Sequence, residues 1–284
     1  MQKKNCKIRT MTRQEVDEIA IRWAAEEGWN PGLYDAESFY AADPNGFLLG
    51  LLGDEPVATL SVVKYDESFG FLGFYMVKPE YRRQGFGIQI WNAGLEYLKG
   101  RTVGLDGVIA QQENYKKSGF ILAYQNIRYQ GTGGGPSSVN PEIVPLSSVV
   151  FEELCAYDQP FFPDLRVQFL KHWINQPRSV SLGIRKSGRL AGYGVLRPCR
   201  IGYKIGPLFA DTPEMAEQLF VALKATVPGN VPVFLDIPAV NPAALDLVKR
   251  HNMTAVFETA RMYTGKPPVL PLDRLFGVTT FELG

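Results

Sequence analysis

Apolar runs of strand length alternate along the chain with stretches whose hydrophobic residues recur every three or four positions. A short apolar strand is predicted over 7–11. Thr12 or a neighbour then caps a helix in which Val16, Ile19, Ala20 and Trp23 share one face. Residues 29–32 break that helix, and a second short one is predicted over Asp35–Ala42. Strands are expected over 46–53, 56–65 and Phe69–Val77, with turns at Gly53 and Asp54 and over 66–68. After a glycine-containing loop come a helix over 88–98, a strand over 103–106, a short helix over 114–118 and a closing strand over 120–129. Antiparallel strands followed by a strand–helix–strand crossover predict an α/β mixed sheet.

The same order then repeats. A short strand over Ile143–Pro145 is followed by helices over 149–157 and 168–174, and by strands over 180–184, 190–196 and 203–209. A helix over Pro213–Ala225, a strand over 233–237, a helix over 243–251 and a strand over 255–263 complete the match, and an apolar stretch over 276–281 leaves room for one more strand. Between the halves, residues 131–138 hold four glycines, a proline and two serines, the composition of a flexible connector. The predicted division is therefore 1–130, a linker over 131–140, and 141–284. Leu105 and Asp106 match Leu235 and Asp236 at the ends of corresponding strands. Phe120 stands eight residues before Arg128, as Met253 stands eight before Arg261. This agreement of order and spacing points to duplication.

Charge and composition narrow the function classes. Thirty basic residues against 29 acidic ones argue against a broad footprint for nucleic acid. Lys3, Lys4 and Lys7 precede no apolar run, so no signal peptide is expected, and no stretch is apolar enough to span a membrane. Cys6, Cys155 and Cys199 are scattered, which fits a reduced cytoplasm. His172 and His251 have no ligand at metal spacing and read as ordinary helix residues.

Candidate chemistry concentrates where the strand Phe69–Val77 runs into Arg82, Arg83, Gln84, Gly85, Phe86, Gly87 and Ile88 at the head of a helix. A helix start exposes unpaired N–H groups and the positive end of the macrodipole. Glycines let that backbone approach an anion closely, and Arg82 or Arg83 adds charge-assisted contacts, so the loop reads as a pyrophosphate cradle. No phosphate-binding G-x-x-x-x-G-K-[ST] is present to support a nucleotide site instead.

The string "VKPEYRRQGFGIQIW" resembles the acetyl-CoA motif of the GNAT acetyltransferase superfamily, and "NYKKSGF" resembles its second motif, a helix carrying a tyrosine before Gly-Phe. The likeness covers nearly all of 7–129. The second half is similar to a divergent GNAT domain, and the whole resembles the tandem YitH-type subfamily. The resemblance implies that backbone amides around Arg83, Gln84, Gly85, Phe86, Gly87 and Ile88 hold the pyrophosphate of acetyl-CoA. Met76 and Val77 would pair with the pantetheine amides, and Tyr115 would be the acid for the departing thiolate. Many members place a glutamate on the strand before the loop as base. Here that strand holds no acid, and Asp106 is the substitute, with a water relay or the substrate's own deprotonation as the other routes.

In the second half the matching loop, over 210–217, lacks the arginine and both glycines, and its acids would repel pyrophosphate. Asp211 or Thr212 reads better as an N-cap with Pro213 in the first turn. The helix over 247–251 has no equivalent of Tyr115. One acyl-CoA site per chain is expected, with the second half as a pseudo-partner of a monomer that completes the acceptor cleft. Trp29, Asn30 and Tyr34 are candidates to wall that cleft, and Asp158 to meet an ammonium; packing is the competing role for each. The resulting expectation is an N-acetyltransferase acting on a small-molecule or peptide amine. The alternative is a non-catalytic acyl-CoA sensor, which would keep the loop without needing Tyr115.

Overall fold

The computed structural model describes residues 5–135 and 140–284. In chain order the first half holds β1 (Lys7–Thr10), α1 (Arg13–Glu15), a π-helical segment Val16–Ile21, α2 (Arg22–Glu26), α3 (Asp35–Ala42), β2 (Phe47–Leu52), β3 (Glu55–Tyr65), β4 (Phe69–Val77), α4 (Phe86–Tyr97), β5 (Thr102–Val108), α5 (Gln112–Lys117) and β6 (Phe120–Thr132). The second holds β7 (Ile143–Pro145), α6 (Phe151–Asp158), α7 (Val167–Trp173), β8 (Val180–Lys186), β9 (Arg189–Pro198), β10 (Tyr203–Ala210), α8 (Pro213–Ala225), β11 (Pro232–Pro238), α9 (Pro242–Arg250), β12 (Thr254–Thr264) and β13 (Leu275–Gly277). Thr12 opens the first helix with a capping box. Its hydroxyl accepts from the Glu15 amide at 3.2 Å, and the Glu15 carboxylate accepts from the Thr12 amide at 2.9 Å.

All the strands join one mixed sheet in the order β1-β2-β3-β4-β5-β12-β6-β11-β10-β9-β8-β7, with β13 attached to β10. The sequence divides near 130, but the sheet does not divide there. β12 of the second half lies between β5 and β6, and β6 of the first half lies between β12 and β11. Each half therefore receives its closing strand from the other. Gly131 and Thr132, expected in the linker, pair with Val233 and Pro232 at the end of β6. Pro136, Ser137 and Ser138 lie outside the described residues.

The exchange brings the repeated acids and arginines together. Asp106 on β5 faces Arg261 on β12, and Asp236 on β11 faces Arg128 on β6, both as direct cross-strand partners. Arg128 donates to Asp236 through Nε and Nη2, both at 2.7 Å, with both side chains almost wholly buried. Asp35 and Arg197 form a further buried bridge between the halves at 2.9 Å.

Helices cover the sheet on both faces. On one face α4 packs on the first half, burying Phe86, Ile90 and Trp91, while α8 and α9 pack on the second. On the other a continuous core joins the halves, from Phe39 on α3, stacked at 6.0 Å on Trp173 of α7, to Phe71, Phe281 and Leu283.

Candidate functional site

β4 and β5 pair in parallel from Phe69 opposite Thr102 to Leu72 opposite Leu105, and then part. The β3–β4 register shifts between Thr59 and Ser61, opposite Phe74, which takes a φ of 45°. That dihedral is unfavourable for a bulky residue and is held by its surroundings, including the Thr59 hydroxyl, which donates to the Phe74 carbonyl at 2.8 Å. A bulge of this kind bends the strand, and here the bend accompanies the separation from β5. A cavity of about 620 Å³ occupies the gap, a volume suited to a small-molecule site.

One end of the cavity is the glycine loop. Arg83 has φ 63°, and Gly85, with φ 90°, is the N-cap of α4. A Cβ at Gly87 would stand 2.6 Å from the Tyr75 hydroxyl, so the backbone at the head of α4 must stay bare. Arg82, Arg83, Gly85, Gly87 and Ile88 line the cavity, together with Met76 and Val77 at the end of β4. Arg82 donates to the Val77 carbonyl at 2.9 Å and pairs with Glu27. The Gln84 amide turns to the Glu80 carbonyl at 2.7 Å and Phe86 is buried against Tyr81, which leaves these two residues their backbone for a ligand. Bare amides at a helix start beside two arginines fit a pyrophosphate.

Tyr115 projects from α5 into the same space. Its ring stacks on Trp91 at 5.7 Å and lies so close to β5 that a Cβ at Gly107 would meet it at 2.2 Å. Burial, with the neighbouring Tyr75 adding to it, pushes the Tyr115 hydroxyl up to about 12. The phenol thus stays protonated at neutral pH.

Asp106 also borders the cavity, but the structure corrects its expected role as proton acceptor. One oxygen accepts from Arg261 Nε at 3.0 Å and Asn126 Nδ2 at 2.8 Å, the other from Arg261 Nη2 at 2.5 Å, and the side chain is fully buried. Burial pushes its carboxyl up while Arg261 and Asn126 oppose that shift. A carboxylate with both oxygens engaged by a guanidinium acts as an anchor for β12.

Of the residues expected to wall the acceptor cleft, Trp29 reaches the cavity; Asn30, Tyr34 and Asp158 do not. Asn30 clasps the β9–β10 turn, accepting from the Ile201 amide at 2.8 Å and donating to its carbonyl at 3.0 Å. Tyr34 bonds Arg178. Asp158 is buried, held by Arg166 at 2.8 and 2.9 Å and by the Tyr193 hydroxyl at 2.5 Å. Each answers a local hydrogen-bond demand that the sequence does not display. The far wall is instead Arg128, Phe257, Thr259, Phe281 and Glu282, so the second half contributes side chains to the cavity. None of these was found from the sequence. The repeat marks Arg128, but only strand exchange carries it there.

The corresponding gap of the second half is filled. β10 and β11 pair in parallel only through Ile205 opposite Leu235, and beyond that point β13 lies on β10, with Leu208 opposite Gly277 and Phe209 opposite Leu275. Thr212 caps α8, accepting from the Met215 amide at 3.3 Å, with Pro213 in the first turn. Among the described residues no helix is long and apolar enough to cross a membrane, and no group of three or more His, Cys, Asp or Glu side chains is placed to hold a metal.

Comparison with known proteins agrees with this architecture. Residues 14–120 match the acetyltransferase (GNAT) family, and residues 154–277 match an acetyltransferase (GNAT) domain. The chain is 31% identical to a holothin acyltransferase of Pseudoalteromonas sp. (strain SANK 73390) over 94% of its own length and 91% of the relative's. It is 26% identical to YitH, an uncharacterized N-acetyltransferase of Bacillus subtilis (strain 168), over 75% of this chain and 76% of that one. A crystal structure of a putative acetyltransferase from Pyrococcus horikoshii superposes with a TM-score of 0.82 at 25% identity, covering 100% of this chain and 97% of that one. The chain belongs to the GNAT acyltransferase family, as a member with two such domains in tandem.

Proposed function

We propose that the chain transfers an acetyl or similar short acyl group from acyl-CoA to an amine of a small molecule or peptide, at one site between β4 and β5. The observation that carries this reading is the single cavity that joins the bare helix start, the Tyr115 hydroxyl and the side chains of the second half. Amides of the 83–88 loop and Arg82 or Arg83 would hold the pyrophosphate, and the parted edge of β4 at Met76 and Val77 would align the pantetheine arm. β13 leaves no equivalent gap in the second half, which supports one site per chain.

Transfer forms an N–C bond as the neutral amine attacks the thioester carbon, and breaks the C–S bond as the tetrahedral adduct collapses. Tyr115, kept protonated by burial, donates a hydrogen bond to the departing sulfur, which ends with a proton. The relative that acylates holothin supports a small-molecule acceptor.

Incubation with acetyl-CoA and a panel of amines is expected to release free CoA thiol in step with N-acylated product detected by mass. Binding of acetyl-CoA without product from any amine would instead favour the sensor reading. Gly87→Val should weaken acetyl-CoA binding about 10–100-fold in calorimetry, since its side chain would collide with Tyr75 and Val77 at the head of α4.

A further inference from the structure

The ten residues 275–284 are buried throughout. β13 seals the gap of the second half, and the segment after it crosses the molecule to the first. The Val278 amide donates to the Asp236 carbonyl at 2.8 Å, and the Tyr65 hydroxyl donates to the Leu283 carbonyl at 3.0 Å. On the way the backbone passes over two glycines. A Cβ at Gly206 of β10 would lie 2.5 Å from the Thr279 carbonyl oxygen, and one at Gly73 of β4 would lie 2.1 Å from that of Glu282. Gly73 and Gly206 are separated by the same interval as Arg128 and Arg261, so both repeats present a bare strand to this segment. Gly73 immediately precedes Phe74 at the β4 bulge, which places Glu282 at the mouth of the gap. Residues 278–284 lie outside both stretches matched to the family, 14–120 and 154–277.

Glu282 lines the cavity beside Phe281, Phe257 and Arg128. One carboxylate oxygen accepts from the Thr280 hydroxyl, whose oxygen in turn accepts from the Glu282 amide at 3.1 Å. Arg128, Arg197 and Lys204 all feel its charge. Among the described residues Asp236 pairs with Arg128 and Asp35 with Arg197, while the Arg197 Nη1 and Nη2 groups have no hydrogen-bond partner. Glu282 is thus the third carboxylate beside these cations, and the one of the three that lines the cavity. Within the cavity the other titratable groups are Glu27 with Arg82, Arg83, Asp106 with Arg261, and the phenols Tyr75 and Tyr115. Both of those acids are already paired with arginines.

Resting on the N-acyltransferase reading above, we propose that Glu282 is the catalytic base: its carboxylate binds the acceptor ammonium opposite Tyr115 and takes its proton. The amine then attacks the thioester. The first proton passes from Glu282 to solvent, and the second, from the nitrogen of the tetrahedral adduct, ends on the expelled sulfur, so the net release is one proton per turnover.

The test is Glu282→Gln in the full chain, assayed with acetyl-CoA and the best amine of the panel. At neutral pH kcat/KM for the amine is expected to fall about 100-fold or more, while acetyl-CoA affinity stays within about twofold. The variant's activity should recover as pH rises toward the amine's own pKa, about 10 for an alkylamine, where the substrate deprotonates itself. A merely structural role would lower activity by the same factor at every pH. Should Glu282→Gln fail to fold, Glu282→Asp retains the charge and is expected to fold, with kcat reduced and the wild-type pH profile kept. Wild-type turnover together with an unchanged rate and pH profile in Glu282→Gln, or with an unchanged kcat in Glu282→Asp, overturns the role of Glu282 alone. A wild-type chain that binds acetyl-CoA and acylates no amine overturns both readings.

Discussion

Asp236→Ala is expected to destabilise the fold by about 3–5 kcal/mol, read as a lower denaturant midpoint with an unchanged slope. The pair it breaks is bidentate and buried, and it joins β11 of one half to β6 of the other. Removal strands the Arg128 guanidinium in the core with Lys204 and Arg197 nearby, two positive charges that Asp236 also helps to balance. Replacing both partners, as in Arg128→Met with Asp236→Leu, should cost much less, because no orphan charge is left behind. Burial alone would push the Asp236 carboxyl up, but Arg128 and Lys204 outweigh it and hold it below the usual carboxylate range. A depressed carboxyl contributes stability above its unfolded value, about 3.9, and loses it as pH falls through the folded value. The gap between wild type and Asp236→Ala should therefore be full at pH 7 and shrink below about pH 4.

Tyr115→Phe is expected to lower kcat about 100-fold or more with little change in acetyl-CoA affinity. The ring is held by stacking on Trp91 and by its fit against Gly107, contacts that phenylalanine keeps, so the change removes the hydroxyl and little else. Burial holds that hydroxyl at about 12, so it titrates well above neutrality. Loss of its hydrogen bond should thus appear as a uniform drop between pH 6 and 9. Retained turnover in Tyr115→Phe would remove the hydroxyl from the mechanism while leaving the donor loop in place.

The glycine-loop end of the cavity was legible because its residues are contiguous. A strand, two arginines, two glycines and a helix start follow one another, and the amides that meet an anion belong to neighbouring residues. Tyr115 was legible for a similar reason, since a short helix after the next strand returns to the same gap. The far wall of the cavity was not. Asn30, Tyr34 and Asp158 are polar residues in aromatic or loop settings, as acceptor-binding residues would be, yet each is engaged in a hydrogen bond or ion pair with a partner distant in sequence or hidden by folding. Phe257 and Glu282 sit in unremarkable stretches more than a hundred residues from the loop they face. The apolar stretch 276–281 leaves room for a strand, but the strand formed is Leu275–Gly277; the following residues run across the strands over Gly73 and Gly206 and carry Glu282 to the cavity.

The sequence alone determined the order of elements, the duplication and the placement of the glycine loop, because periodicity, turn chemistry and helix starts are properties of neighbouring residues. Tertiary structure alone decided which strands pair. β6 pairs antiparallel with β12 on one edge and β11 on the other, and an alternating strand does not record which strand its edge will meet. That choice exchanged the closing strands, turned the repeated Asp and Arg positions into bridges between the halves, and let the second half build the far wall of the cavity.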